Sequence, residues 1–131
     1  MKLTELFRQG RFVITGEVGP VKGCSRMNGG PLPEFIQEAL ALKDYVDAVN
    51  VTDNQSAVMR LGSLAASVLL KQQGIEPIFQ ITCRDRNRIA LQSDLMSACT
   101  LGLDNVLCLT GDHIKLGDHV AAKPVFDVDS V

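Results

Sequence analysis

The spacing of apolar positions along the chain switches repeatedly between a period near two and a period near 3.6, and each switch marks a new element. Residues 1–10 mix Lys2, Glu5 and Arg8 with Leu3, Leu6 and Phe7, a helical pattern. Residues 12–18 are rich in β-branched side chains and run into Gly19-Pro20, which predicts a strand followed by a breaker. Residues 21–32 hold Gly23, Gly29 and Gly30 without periodicity and read as a loop. From Pro33, suited to a first helical turn, Phe35, Ile36, Ala39, Leu40 and Lys43 recur at helical spacing. Residues 46–52 form a second apolar run. Ser56 can cap a following helix striped by Met59, Leu61, Leu64, Ala65, Val68 and Leu69, with Gly74 placed as a C′ glycine. Residues 77–83 predict a third strand. Asp85 is a candidate cap for a helix carrying Ile89, Gln92, Leu95, Met96 and Cys99 and closed by Gly102. Residues 106–110 predict a fourth strand, before a mostly polar loop.

Strand and helix recur at roughly 30-residue intervals, the length of one right-handed parallel βαβ step. The fold class is therefore α/β. Alternation assigns the side chains of each strand to two faces. Val13, Thr15 and Glu17 share one parity, as do Ala48, Asn50 and Thr52, and Ile78, Gln80, Thr82 and Arg84. In the fourth strand the corresponding set is Val106, Cys108, Thr110 and, past its end, Asp112. Each set runs from apolar to polar toward the carboxyl end. The opposite parities (Phe12 and Ile14, Val49 and Val51, Phe79 and Ile81, Leu107 and Leu109) are apolar, as helix-facing residues should be. Polar residues collect wherever a strand meets solvent, but four strands in consistent register point to a small-molecule site on one rim, where parallel α/β proteins carry function.

Composition narrows the class. With 131 residues, 46% of them hydrophobic and 21% charged, the chain has an ordinary globular balance and enough length for a single domain spanning residues 1–131. A net charge of −2 and no basic run beyond Arg84, Arg86 and Arg88 argue against a nucleic-acid partner. The longest nearly apolar stretch, residues 64–70, contains Ser67 and is too short to span a bilayer. The first ten residues lack the apolar centre of a signal peptide. Cys24, Cys83, Cys99 and Cys108 form no CxxC pair and mostly have apolar neighbours. The expectation is a reduced, cytoplasmic protein with mainly buried thiols and no disulfide framework.

Four segments carry a family resemblance: Thr15-Gly16-Glu17-Val18-Gly19-Pro20 with Lys22-Gly23, Val49-Asn50-Val51-Thr52-Asp53-Asn54, Ile81-Thr82-Cys83-Arg84-Asp85-Arg86-Asn87, and Leu109-Thr110-Gly111-Asp112. In this order they resemble the first four strand ends of 5,10-methylenetetrahydrofolate reductase, and the likeness continues through Ala122-Lys123-Pro124-Val125-Phe126-Asp127. The resemblance implies a flavoprotein (β/α)8 TIM barrel with FAD as cofactor. It implies NAD(P)H and methylenetetrahydrofolate as partners: a hydride passes from nicotinamide to the flavin, then to the folate methylene carbon, giving 5-methyltetrahydrofolate. The folate ring must first open to an iminium cation, which needs a proton near N10. Glu17 matches the family's general acid, and partial burial on the inner face of strand one would raise its pKa. Its plainer reading is a rim carboxylate paired with Arg84 or Lys22. Asp112 matches the aspartate beside the flavin pyrimidine edge, where negative charge favours hydride release and a cationic iminium; its plainer reading is a turn residue after Gly111. By the same resemblance Thr52, Gln80, Thr82, Thr110 and Gly111 line the cofactor site. Gln80 stands where some members carry histidine, and an amide cannot titrate.

Weaker signals surround these. Asp112-His113 and Asp118-His119 repeat an acid–histidine pair, but the spacing fits no usual metal geometry and a third ligand is missing, so no metal is expected. Arg84 near Cys83 could lower a thiol pKa, though the parity of Cys83 favours packing. Arg84, Arg86 and Arg88 could meet a cofactor phosphate, yet charges at a helix start are usually solvated. The Gly23, Gly29, Gly30 spacing is no dinucleotide fingerprint.

A complete (β/α)8 barrel takes about 250 residues, and the four predicted strands amount to its N-terminal half. Strands one and four would then be open edges. The expectation is a truncated form with little activity alone, or a natural half-barrel that completes itself by homo-oligomerising or by joining another chain. Two other classes stay open: a pterin-binding methyltransferase barrel without flavin, and a non-catalytic half-barrel interaction module.

Overall fold

The computed structural model describes residues 1–24 and 26–131. Four strands, β1 (Thr15–Val18), β2 (Ala48–Val51), β3 (Pro77–Thr82) and β4 (Asn105–Leu109), form one parallel sheet in the order β1-β2-β3-β4. Helices α1 (Leu3–Arg8), α2 (Glu34–Leu42), α3 (Ser63–Gln72) and α4 (Arg88–Thr100) alternate with them, and 3₁₀ turns occupy Gln55–Ala57 and Ile114–Leu116. Sequential strand order with helical connections is what repeated right-handed βα steps give.

The outer face of the sheet packs two apolar clusters. Val18, Val49 and Val51 meet Phe35, Ile36 and Ala39 of α2 and Ala66 and Leu70 of α3. Phe79, Ile81 and Cys83 meet Leu91 and Ala98 of α4. The other face is covered at its amino end by α1, where Leu3 and Leu6 pack on Ala48, Ile78 and Val13. The α2 stripe is the expected one. In α3 the buried positions are Ser63, Ala66, Ser67 and Leu70, not the predicted stripe. These small residues let the helix close on the sheet, with Ser63 Oγ donating to Gln80 O at 2.6 Å. Leu64 and Val68 then fill the groove toward α4. In α4 only Leu91 and Ala98 are buried; Ile89 and Met96 stand 76% and 72% exposed, because few residues cover the far side of the last helix.

Several local expectations are corrected. Strand β1 starts at Thr15, and Phe12 projects 88% exposed outside the sheet instead of facing a helix. Ser56 does not cap α3; it lies in the Gln55–Ala57 turn with φ of 57°, and Gly62 takes the cap position. Asp85 pairs with Arg84, leaving Asn87 to cap α4 by accepting the Ala90 N–H. Only Cys83 is buried; Cys24, Cys99 and Cys108 are exposed.

The largest correction concerns β4. Its register sets Asn105 opposite Ile78, Leu107 opposite Gln80 and Leu109 opposite Thr82. Leu107 and Leu109 therefore share the face of Gln80 and Thr82, while Val106 and Cys108 lie on the helix side. Asn105 anchors this register: its side chain accepts from Leu3 N at 2.8 Å and donates to Met1 O at 2.7 Å and Glu76 Oε1 at 2.9 Å. A single-residue offset exchanges every side chain between the faces. Polar anchoring at the strand's first residue outweighs the apolar-to-polar trend that suggested the opposite parity.

Candidate functional site

A cleft of about 290 Å³ opens at the carboxyl ends of the strands, walled by Glu17, Thr52, Gln80 and Thr82, by Leu107 and Leu109, and by Gly111 and Asp112. The sheet thus brings Glu17, Thr52, Gln80, Thr82, Gly111 and Asp112 together. Asp112 arrives by a different route from the one its parity suggested: Gly111 turns the chain at φ of 93° and brings it back over the rim. A Cβ at Gly111 would stand 3.2 Å from Arg84 Cβ, a tight contact added to a positive φ that already favours glycine. Thr110 stays apart, its hydroxyl bonded to Ser130 Oγ at 3.0 Å and to Ser130 N at 3.3 Å. The flipped register of β4 accounts for that position.

Within the cleft the polar groups differ in how they are engaged. Gln80, nearly buried, donates to Asn50 Oδ1 at 3.4 Å, and Asn50 donates to Thr15 Oγ1 at 3.3 Å and Gly16 O at 3.4 Å, a polar ladder across three strands. Thr82 Oγ1 donates to Asp53 Oδ2 at 2.9 Å, so its hydroxyl proton is committed to the protein. Thr52 Oγ1 is buried and has no hydrogen-bond partner among the described residues. Glu17 and Asp112 are exposed; the partial burial expected of Glu17 is not supplied here, and no ion pair reaches it among the described residues.

Two arginines and two aspartates brace the rim from behind. Asp53, its side chain wholly buried, accepts the Thr82 N–H at 2.9 Å and two N–H groups of Arg86 at 2.6 and 3.1 Å. Arg86 also pairs with Asp94 at 2.9 Å. Burial opposes the Arg86 charge, but the Asp53 hydrogen bonds and neighbouring carboxylates outweigh it and raise the guanidinium pKa. Arg84, only 2% exposed at its side chain, grips Asp85 through Nε at 2.9 Å and Nη2 at 2.7 Å. Burial disfavours the Asp85 charge, yet the Arg84 hydrogen bonds and attraction hold its carboxyl below the ordinary range. These arginines are committed to the protein, which removes them as free phosphate ligands. The Asp53–Arg86 pair and the Arg84 contacts were not legible as a brace in the sequence; the available signals were the Asp53-Asn54 step closing the second motif and the Arg84-Asp85-Arg86 run within the third.

The remaining candidates resolve simply. His113 Nδ1 accepts the Lys115 N–H at 3.2 Å, and Asp118 Oδ1 accepts the Met59 N–H at 3.1 Å, so both acid–histidine steps tie down loops. Among the described residues no three His, Cys, Asp or Glu side chains converge on one point. Burial, reinforced by Cys108 and Asp129, pushes the Cys83 thiol pKa up, the reverse of activation by Arg84. A larger hollow of about 630 Å³ along the outer side of α4 is lined by none of the rim residues.

Parallel βα units with a polar cleft at the strand carboxyl ends define an α/β protein of the class in which that rim commonly carries function. The chain belongs to the methylenetetrahydrofolate reductase family, whose model matches residues 2–130. By family it is a reductase of one-carbon metabolism. No curated protein matches the chain. No helix among the described residues is long and apolar enough to cross a membrane.

Proposed function

We propose that these four βα units are part of a (β/α)8 barrel, and that the cleft binds FAD and serves NAD(P)H-dependent reduction of 5,10-methylenetetrahydrofolate to 5-methyltetrahydrofolate. The observation that carries this reading is the Thr52 hydroxyl, buried beside the cleft without a partner among the described residues. A buried polar group left unpaired costs about 1–3 kcal/mol, and a ligand atom that satisfies it recovers that cost. The surrounding residues fit a planar, polar-edged ring: Gln80 offers an amide and Leu107 and Leu109 an apolar surface.

When bound, the flavin supplies the hydride relay between nicotinamide and folate. The chain's own groups do the rest. Thr52 and Gln80 orient the ring by hydrogen bonding. Asp112 places a negative charge at the rim, which stabilises a cationic folate iminium. Glu17 stands across the cleft as the proton donor for ring opening at the folate nitrogen.

The test supplies FAD in excess and reads single turnovers, because a cleft open on the β1 and β4 sides retains cofactor weakly and the chain alone should turn over little. Flavin fluorescence should quench on titration with the chain. Glu17→Gln should leave NAD(P)H reduction of the bound flavin intact and abolish its reoxidation by methylenetetrahydrofolate. Folate binding with no flavin binding would favour a pterin-binding methyltransferase reading instead.

A further inference from the structure

Two loops form opposite lips of the cleft, one following β2 and one following β4, and a single side chain from the end of β3 reaches both. Arg84 Nη2 donates to Asn54 O at 3.1 Å, and Nη1 donates to Asp112 O at 3.1 Å. The remaining contacts aim the guanidinium: Asp85 takes Nε and Nη2 in a two-pronged pair, and Asn54 Nδ2 donates to Asp85 at 3.4 Å. The main chain of Arg84 is pinned as well, its N–H to Thr110 O at 3.1 Å and its carbonyl to Val125 N at 2.8 Å.

Both lips need such a hold. The first contains Asn54, Ser56 and Ala57 at φ of 45°, 57° and 58°, left-handed conformations that non-glycine residues adopt only when the surroundings enforce them. The second turns through Gly111 at φ of 93° against the Arg84 side chain. Backbone carbonyls give a guanidinium no charge partner, so spending two donors on them serves geometry. The planar fork can reach two directions at once while gripping Asp85, which a lysine ammonium cannot.

We propose that Arg84 is a positioning residue that clasps the Asn54 and Asp112 loops to each other, and so sets the width of the cleft and the place of Asp112 relative to Thr52 across it. The clasp acts on the flavin site proposed above and rests on that reading for its consequence, although the clasp itself can be observed without any ligand. A displaced lip of even an ångström is enough to cost a bound ring its alignment.

The experiment compares the 131-residue chain with Arg84→Lys and Arg84→Met by amide hydrogen exchange and by FAD titration. Both variants should exchange at least about tenfold faster at residues 54–57 and 111–113 with β2 unchanged, and should bind FAD roughly tenfold more weakly. Unchanged exchange at either loop would overturn the clasp. Faster exchange with wild-type FAD affinity, or an Arg84→Lys variant indistinguishable from wild type, would overturn its role in setting the cleft. If wild-type chain binds no FAD while the variants still loosen both loops, the flavin reading falls and the clasp stands.

Discussion

Arg88 and Asp127 lock the late segment of the chain onto the start of α4. Arg88 Nε and Nη2 donate to the two Asp127 oxygens at 2.8 and 3.0 Å, and Asp127 Oδ2 also accepts the Arg88 backbone N–H at 3.0 Å. The aspartate therefore works as a charge at the first turn of α4, supplied from 39 residues away. The same segment folds over the end of β3, where Val125 N and Phe126 N donate to Arg84 O and Cys83 O.

The Arg88 side-chain hydrogen bonds, with the backbone N–H, hold the Asp127 carboxyl down to about 2, against an ordinary 3.8. A depressed carboxylate adds stability above its unfolded pKa and loses it as pH falls through the folded value. The strap should stay docked above pH 4 and release on acidification between about 4 and 2. Amide exchange at Val125 and Phe126 across that range checks this, and Asp127→Asn should release the strap already at neutral pH.

Thr52→Val should separate stability from binding. Replacing a buried, unpartnered hydroxyl by a methyl removes an unmet polar demand, so the ligand-free chain should gain up to about 1 kcal/mol. FAD affinity should fall, since the ring loses a hydrogen-bonding group. A melting curve and a flavin titration on the same sample decide; a gain in both, or a loss in both, would contradict the role given to Thr52.

Asp53→Asn should cost far more than any rim substitution. The buried carboxylate answers Thr82 N, Thr82 Oγ1 and two Arg86 donors at once. An amide cannot accept all of these, and it leaves Arg86 with Asp94 as its remaining charge partner. Breaking one side of a buried pair costs about 3 kcal/mol or more. Urea denaturation of the variant measures it.

What the sequence made legible follows from what is local. The strand order and the α2 stripe come from periodicity, which neighbouring residues enforce on each other. Glu17, Thr52 and Gln80 reach the cleft because β1, β2 and β3 alternate as expected. Leu107 and Leu109 were assigned to the wrong face because strand register is a tertiary choice, here made by Asn105 with Met1, Leu3 and Glu76. The α3 stripe failed for a related reason: Ser63 and Ser67 look polar in the chain but are the residues small enough to meet the sheet. Arg84 was invisible as a clasp since both its carbonyl partners come from other loops.

Two glycines should respond unequally to alanine. At Gly16 an added Cβ would come within 2.8 Å of Leu42 Cδ1, the mobile end of a side chain that can turn away, so Gly16→Ala should cost less than about 1.5 kcal/mol. At Gly117 it would collide with the Ala57 carbonyl, rigid backbone in a loop already held at positive φ. Gly117→Ala should push apart the Gln55–Ala57 and Ile114–Leu116 turns, lowering the melting temperature well beyond the Gly16 variant. It should also weaken FAD binding, because the first of those turns lies in the cleft wall. Equal losses at both positions would show that the two turns are not rigidly apposed.

The chain by itself should hold its cofactor poorly, and the reason lies in β4. Leu107 and Leu109 face the cleft, yet Leu107 is 41% exposed, and β1 and β4 are both free edges of the sheet. Water reaching that face raises the local dielectric, so Asp112 acts less strongly on any ligand beside it. Contacts that a covered sheet would give a large ring are missing on one side, and each tenfold in affinity takes only about 1.4 kcal/mol of lost contact. Open parallel edges beside exposed apolar side chains also favour association. The purified 131-residue chain should therefore be largely colourless, elute in light scattering as more than one copy, and regain flavin absorbance only with FAD added in excess. A monodisperse monomer carrying one tightly held FAD would show that four strands suffice to close the site.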